Sequence, residues 1–269
     1  MSYKSKSQVS PHAKVNLKSQ PALKDQRGID SGWTAKVITL YPEMFPGTLG
    51  HSLIGQALRK KIWSLEILNL REFGIGKHKD VDDTPAGGGP GMVLSPDVVD
   101  GAVGAAIQNL NLKKEKWSII NLSPRGSPLT QEISQELVSN HGIIVLCGRF
   151  EGIDQRVIDK WNMRELSIGD FILTGGEIAA QALIDSIVRN IPNVLGNNLS
   201  IKSESFSDNL LAHPQYTKPS NWNGHHVPEI LLSGNHGKVR EWRNKKSFEI
   251  TKIRRPDLLI ESKKFSKVQ

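Results

Sequence analysis

The chain has 269 residues, 38% of them hydrophobic and 23% charged, which is enough for one large domain or two modest ones with a buried core. No apolar run approaches the roughly 18 residues that span a bilayer, and no secretory apolar segment opens the chain, so no membrane span is expected and the protein is expected in the cytoplasm, or at least not exported. The formal charge of +8 sits at the two ends, with six basic against two acidic residues in 1–33 and eleven against four in 237–269, so a polyanion is expected at the C-terminal region.

Residues 1–33 are rich in Ser, Lys and Gln and lack hydrophobic periodicity, the composition of a disordered N-terminal extension. Scarce acids there leave a transit-like leader open, against which arginine is nearly absent and no amphipathic stripe is present; an upstream start codon is the other reading. A first strand is expected over 35–40, closing on Tyr41-Pro42. Apolar residues at 53, 54, 57, 58 and 62 predict a helix over 51–62, and 65–70 reads as a second strand. The stretch 74–91 is polar, glycine-dense and too long for a mere connection, which makes it functional or mobile. Asp80, Asp82 and Asp83 cluster in it. Such carboxylates can ligate a hard divalent ion, but acidic loops are usually just solvated; no metal site is assigned, and a role for Mg2+ stays open.

Ser95 as N-cap and Pro96 at the first helical position start a helix with an apolar stripe at 98, 99, 102, 103, 106 and 107. A third strand, 117–122, runs into Ser123-Pro124-Arg125-Gly126. Ser127-Pro128 repeats the cap ahead of Leu129, Ile133 and Leu137. A buried strand follows at 143–146, with Cys147 as a small core hydrophobe, and a helix from about Glu177 stops before Pro192. Strands alternating with helices predict an α/β fold whose parallel sheet is covered on both faces. Residues 197–218 are polar and irregular, an interdomain linker, and 219–269 looks like a small, basic, α-helical domain. Trp242, among Arg240, Arg243 and Lys245, either packs in that domain or stacks on a base.

Residues 148–176, GRFEGIDQRVIDKWNMRELSIGDFILTGG, carry two glycine-bearing turns, 148–152 and 169–176, each leaving a short apolar segment. One such turn is ordinary. Two that leave neighbouring strands converge on one crevice at the carboxyl edge of the sheet, which reads as a nucleoside pocket. A triphosphate loop, an H-E-x-x-H helix, paired C-x-x-C, a G-x-S-x-G elbow and a dinucleotide fingerprint after the first strand are all absent.

Together, DDTPAGGGPGM (82–92), LSPRG (122–126), LCGRFEGIDQRV (146–157), LSIGDFILTGGEIAAQALIDSIVR (166–189), ESFSDNLLAHPQYTKP (204–219) and VPEILLSGNHGKVREWR (227–243) resemble the bacterial tRNA (guanine-N1)-methyltransferases of the TrmD type. The resemblance runs from about Ala35 to Leu259. It implies a parallel α/β domain with a deep C-terminal trefoil knot of the SPOUT class over 34–196, the linker, a helical tRNA-binding domain, and a homodimer with its active site at the subunit interface. The activity it implies is methyl transfer from S-adenosylmethionine to N1 of the guanosine just 3′ of the anticodon, guanosine-37. Carried over residue by residue, the donor pocket comprises Leu122, Ser123 and Pro124, then Gly148, Phe150, Glu151 and Gly152, then Ile168, Gly169, Asp170, Phe171, Ile172 and Leu173 with Gly175 and Gly176.

The resemblance places the catalytic base at Glu204, where the family has aspartate, with Asp208 as the nearby alternative. Arg189 matches the arginine that stabilises charge on the base's O6. Other departures are Ala86 and Asn121, where tyrosines are usual, and Ala212 and Gln215, where aspartate and histidine are frequent. A final helix seen in some relatives is expected to be missing. The alternative class is a non-catalytic RNA-binding protein that keeps the basic C-terminal region.

Overall fold

The computed structural model describes residues 32–108, 110, 116–195 and 204–259. Apart from Gly32 and Trp33, the expected tail lies outside them, as do residues 197–203 of the expected linker and 260–269 of the expected helical domain. In chain order the elements are β1 (Trp33–Thr39), α1 (Ser52–Arg59), β2 (Trp63–Asn69), β3 (Asp82–Asp83), β4 (Val93–Leu94), α2 (Pro96–Ile107), β5 (Trp117–Pro128), α3 (Gln131–Val138), β6 (Gly142–Leu146), α4 (Gln155–Lys160), β7 (Arg164–Ser167), α5 (Glu177–Val188), β8 (Asn221–Trp222), β9 (His225–His226), α6 (Glu229–Leu232) and α7 (His236–Arg254).

Five strands form one wholly parallel sheet in the order β2-β1-β6-β5-β7. β6 is central and buried at every residue, as expected for a parallel strand covered on both faces. Its side chains alternate. Ile143 and Val145 join one apolar cluster with Leu137 of α3 and Leu183, Ile184 and Ile187 of α5, while Ile144 and Leu146 join a second with Val98, Val99 and Val103 of α2 and Val157 of α4. The result is helix, sheet, helix.

Several element limits differ from the sequence reading, each for a local reason. β1 starts at Trp33, inside the expected tail; Trp33 is 1% exposed, and its indole N–H donates to the Leu137 carbonyl at 3.2 Å. One tryptophan behind a polar run carries no period. α1 ends before the expected position 62, and Lys61 turns the chain with a left-handed φ of 57°. Ser95 occupies the cap of α2, but its side chain makes no capping hydrogen bond. The expected second Ser-Pro cap is corrected: Ser127 and Pro128 lie in β5, opposite Leu166 and Ser167 of β7. Pro128, lacking an N–H, is tolerated just after the bulge, where β5 no longer pairs with β6, and Thr130 supplies the cap of α3 by accepting from the Ile133 N–H at 3.3 Å. Residues between Leu122 and Ser127 bulge out of the ladder, where the sequence suggested the strand had ended.

The C-terminal part carries α6, α7 and the β8–β9 hairpin, which the sequence reading did not assign. α7 grips the segment before it. The Leu211 N–H donates to Thr251 Oγ1 at 2.8 Å, and Trp242 meets His213 and Tyr216 edge-on at 6.5 and 6.2 Å between ring centres. Trp242 is thus half-buried against the segment read as an irregular linker. Among the described residues no helix is long and apolar enough to cross a membrane.

Candidate functional site

The carboxyl ends of β5, β6 and β7 open into a cavity of about 250 Å³. The strands bearing the two glycine turns are not neighbours, as the sequence reading had them: β5 lies between, and Leu122 to Pro124, at the start of its bulge, line the cavity between the turns. Of the fifteen residues carried over to the donor pocket, fourteen line this cavity; Asp170 does not.

The glycines here have distinct physical reasons. A Cβ on Gly176 would lie 2.8 Å from Cys147 Cα, so α5 can start against the end of β6, with the Gly176 N–H donating to the Gly148 carbonyl at 2.9 Å, only with glycine there. Gly169 has φ of +149°, in the range L side chains rarely adopt. Phe150 holds a left-handed φ of 58° without being glycine, the kind of local strain, on the order of 1 kcal/mol or more, that clusters at binding sites. The glycine-dense stretch is docked on this same turn: the Glu151 N–H donates to the Met92 carbonyl at 2.9 Å and the Leu94 N–H to the Gly152 carbonyl at 3.0 Å.

A buried ion pair ties the two turns together, and the sequence reading missed it. Glu177, 1% exposed, accepts from Thr39 Oγ1 at 2.8 Å and from Arg149 Nε at 3.2 Å. Its Oε2 lies 2.8 Å from Arg149 Nη2, an ion-pair contact outside hydrogen-bond geometry. Arg149 also donates to the Thr174 carbonyl at 3.1 Å and covers the Tyr41 ring at 4.3 Å. One side chain therefore spans from the first turn to the second and to the end of β1. Burial, reinforced by the Glu177 charge, pushes the neighbouring Cys147 thiol well up and keeps it neutral. Glu177→Gln is expected to cost about 1–3 kcal/mol of stability, since it leaves a cation facing a buried amide; denaturant unfolding checks this, and an unchanged midpoint would show the pair idle.

Arg189 and Glu204 are brought together. Arg189, at the C-terminal cap of α5, forms two parallel hydrogen bonds to the Glu204 carboxylate at 2.7 and 2.8 Å. These bonds hold the Glu204 carboxyl below the usual carboxylate range and raise Arg189 further. Asp185, one turn back, is shifted the other way, raised by burial and only partly offset by Arg189. The pair lines a cavity of its own with Gln131, Ser205, Phe206, Ala212 and Gln215, and neither member lines the donor cavity of the same chain. Two positions where the sequence departs from the family, Ala212 and Gln215, thus border the pair. Asp208, the alternative acid, does not line that cavity but lines a neighbouring one together with Glu204. Of the other departures, Asn121 is buried at the floor of the donor cavity and donates to Glu165 at 3.1 Å, while Ala86 is exposed. Among the described residues no group of three or more His, Cys, Asp or Glu is placed to hold a metal ion. Asp83 instead accepts from the Thr84 N–H at 2.7 Å.

Known proteins share this chain's organisation. Residues 34–261 match the family profile described as tRNA (Guanine-1)-methyltransferase TrmD. A curated protein of Ruegeria pomeroyi named tRNA (guanine-N(1)-)-methyltransferase is 56% identical over 226 residues, 84% of this chain and 92% of that protein. Proteins of the same name from Jannaschia sp. and Rhizobium etli are 56% identical over 228 residues and 49% over 232, covering 85% and 86% of this chain and 92% and 97% of theirs. With most of its length matched, including both glycine turns and the Arg189–Glu204 segment, this chain belongs to the TrmD family of tRNA guanine-N1 methyltransferases.

Proposed function

We propose that the protein transfers a methyl group from S-adenosylmethionine to N1 of guanosine-37 in tRNA, with Glu204 as base and Arg189 as the cation at O6. The observation that carries this reading is the division of labour in the chain: a glycine-lined cavity at the strand ends, and a carboxylate–guanidinium pair outside it. The cavity suits a nucleoside donor. A Cβ at Gly148 would meet nothing nearer than the Leu122 carbonyl at 3.8 Å, so that glycine faces the open cavity and leaves room for a ligand against the backbone. When bound, S-adenosylmethionine supplies an electrophilic methyl group on a sulfonium.

The chain's own residues do the rest. A carboxylate of ordinary basicity is far too weak to take the N1 proton unaided, and Arg189 weakens Glu204 further by holding it ionised. The compensation is on the substrate side: Arg189 donates to O6, where negative charge collects as the proton leaves for Glu204. A partly exposed ion pair is worth on the order of 1 kcal/mol, so an entering base needs little to part it.

Because Arg189 and Glu204 stand outside the donor cavity of their own chain, we place the complete site between two copies, each giving the donor cavity to the other's pair. Exposed apolar side chains beside the cavity, Phe171, Ile172 and Ile178, support a subunit contact there. The segment that carries Glu204 then serves both subunits, and the fold we assign is the knotted one of the SPOUT class. A tRNA enzyme with no membrane-spanning helix among its described residues is assigned to the cytoplasm.

Two tests follow. Purified protein with labelled S-adenosylmethionine is expected to label an unmodified tRNA transcript at guanosine-37; tight tRNA binding with no transfer would favour a non-catalytic binder. Mixing inactive Gly148→Val with inactive Glu204→Gln protein, after subunit exchange, should restore about a quarter of wild-type activity, because half the dimers are mixed and each has one intact site. No recovery would place both halves in one chain.

A further inference from the structure

We propose that the β8–β9 hairpin is a stacking platform for an unpaired base of the tRNA, with Trp222 and His225 as its surface. Trp222 is 64% exposed, unusual for a tryptophan away from any apolar core. The His225 ring lies 6.3 Å from it at an interplanar angle of 32°, so the two present one broad aromatic surface.

The hairpin is held in shape. Asn223 and Gly224 both have positive φ, 50° and 83°, the signature of the tight turn that matches strand twist. The Gly224 N–H donates to Asn221 Oδ1 at 3.0 Å, and the Val227 N–H closes the base of the hairpin on the Ser220 carbonyl at 2.8 Å. An exposed aromatic fixed in this way loses little conformational freedom on binding.

Its surroundings select the partner. Pro219, Ser220 and Val227, on either side of the hairpin, line an open cavity with Tyr216, Lys218 and Arg243. Among the described residues, 237–259, on α7 and just after it, carry eight basic against three acidic side chains. An exposed aromatic pair on a hairpin whose flanking residues share a cavity with Lys218 and Arg243 suits a splayed base whose phosphates run toward those cations, the usual mode of single-stranded RNA recognition. Self-association through this face would bring two strongly basic regions together, which charge opposes. The inference rests on the tRNA reading above and adds a contact that neither the donor cavity nor the Arg189–Glu204 pair provides.

The test uses the full chain and an unmodified tRNA transcript. Trp222→Ala is expected to raise the tRNA Kd on the order of ten- to a hundredfold, the range for losing one stacked base, and Trp222→Phe to recover most of it. The slope of log affinity against log salt should stay that of wild type, whereas Arg243→Gln should reduce it by about one phosphate contact. Donor affinity by calorimetry should be unchanged in all three. Wild-type tRNA affinity in Trp222→Ala overturns the platform, and so does a shift in its solution mass, which would make the hairpin a contact between copies. Wild-type protein that neither binds nor methylates tRNA would instead remove the functional reading itself.

Discussion

Glu204→Gln is expected to slow methyl transfer by two orders of magnitude or more, the usual contribution of a positioned base, while donor and tRNA affinities survive. The amide keeps the shape of the carboxylate, so the segment should stay docked on Arg189, but it cannot accept the N1 proton. Glu204→Asp should retain substantial activity, because it keeps a carboxylate that Arg189 can follow one methylene closer to the backbone. The pH dependence has a defined sign. Arg189 depresses the Glu204 pKa, so the pair persists above the ordinary carboxylate range and is lost only as pH falls through the lowered value. The acid limb of kcat/KM against pH, which reports the free enzyme with the pair intact, should accordingly lie below that of an unpaired glutamate. Normal turnover by Glu204→Gln alongside a dead Asp208→Asn would mean the wrong acid has been assigned.

Gly148→Val is expected to abolish S-adenosylmethionine binding in a protein that remains folded. The nearest atom to a new Cβ is the Leu122 carbonyl oxygen at 3.8 Å, an ordinary contact, and Gly148 is not in the left-handed region; the added methyls enter the cavity, not the protein. Gly169→Val is a poorer probe. Its φ of +149° strains any side chain, and its Cβ would sit 2.6 Å from Phe171, so lost binding there would be mixed with a displaced turn. Calorimetry that finds wild-type donor affinity in Gly148→Val would remove the pocket from this place.

Elements with a strong apolar signal were legible from residues alone: the continuous apolar run of β6 and the apolar stripe of α2 follow from the sequence. Short ones were not. β8 and β9 have two residues each and no period to read, and β5 resumes after a bulge that looks like a strand's end. Burial of charge was equally hidden. Glu177 in the first turn of α5 reads as an ordinary complement to the helix dipole, and only tertiary contact shows that it anchors Arg149. Arg149 itself sits in the quoted motif between Gly148 and Phe150, and a lone cation flanked by such residues was the available signal. Glu204 and Arg189 carry no local pattern at all; their assignment came through resemblance, and the structure adds their contact.

With Glu204 as base and Arg189 at O6, as proposed, the fork between them would also decide which base is read. Guanine presents an N1 donor beside an O6 acceptor, the polarity that a carboxylate next to a guanidinium complements. Adenine presents the reverse, an N1 lone pair beside an amino group, and would set acceptor against acceptor and donor against donor, an unpaired arrangement that costs far more than a missing contact. Hypoxanthine keeps the N1 proton and O6 and lacks only the 2-amino group. A transcript carrying inosine at the target position should therefore still be methylated, and one carrying adenosine should not; methylation of both would show that the fork does not choose the base.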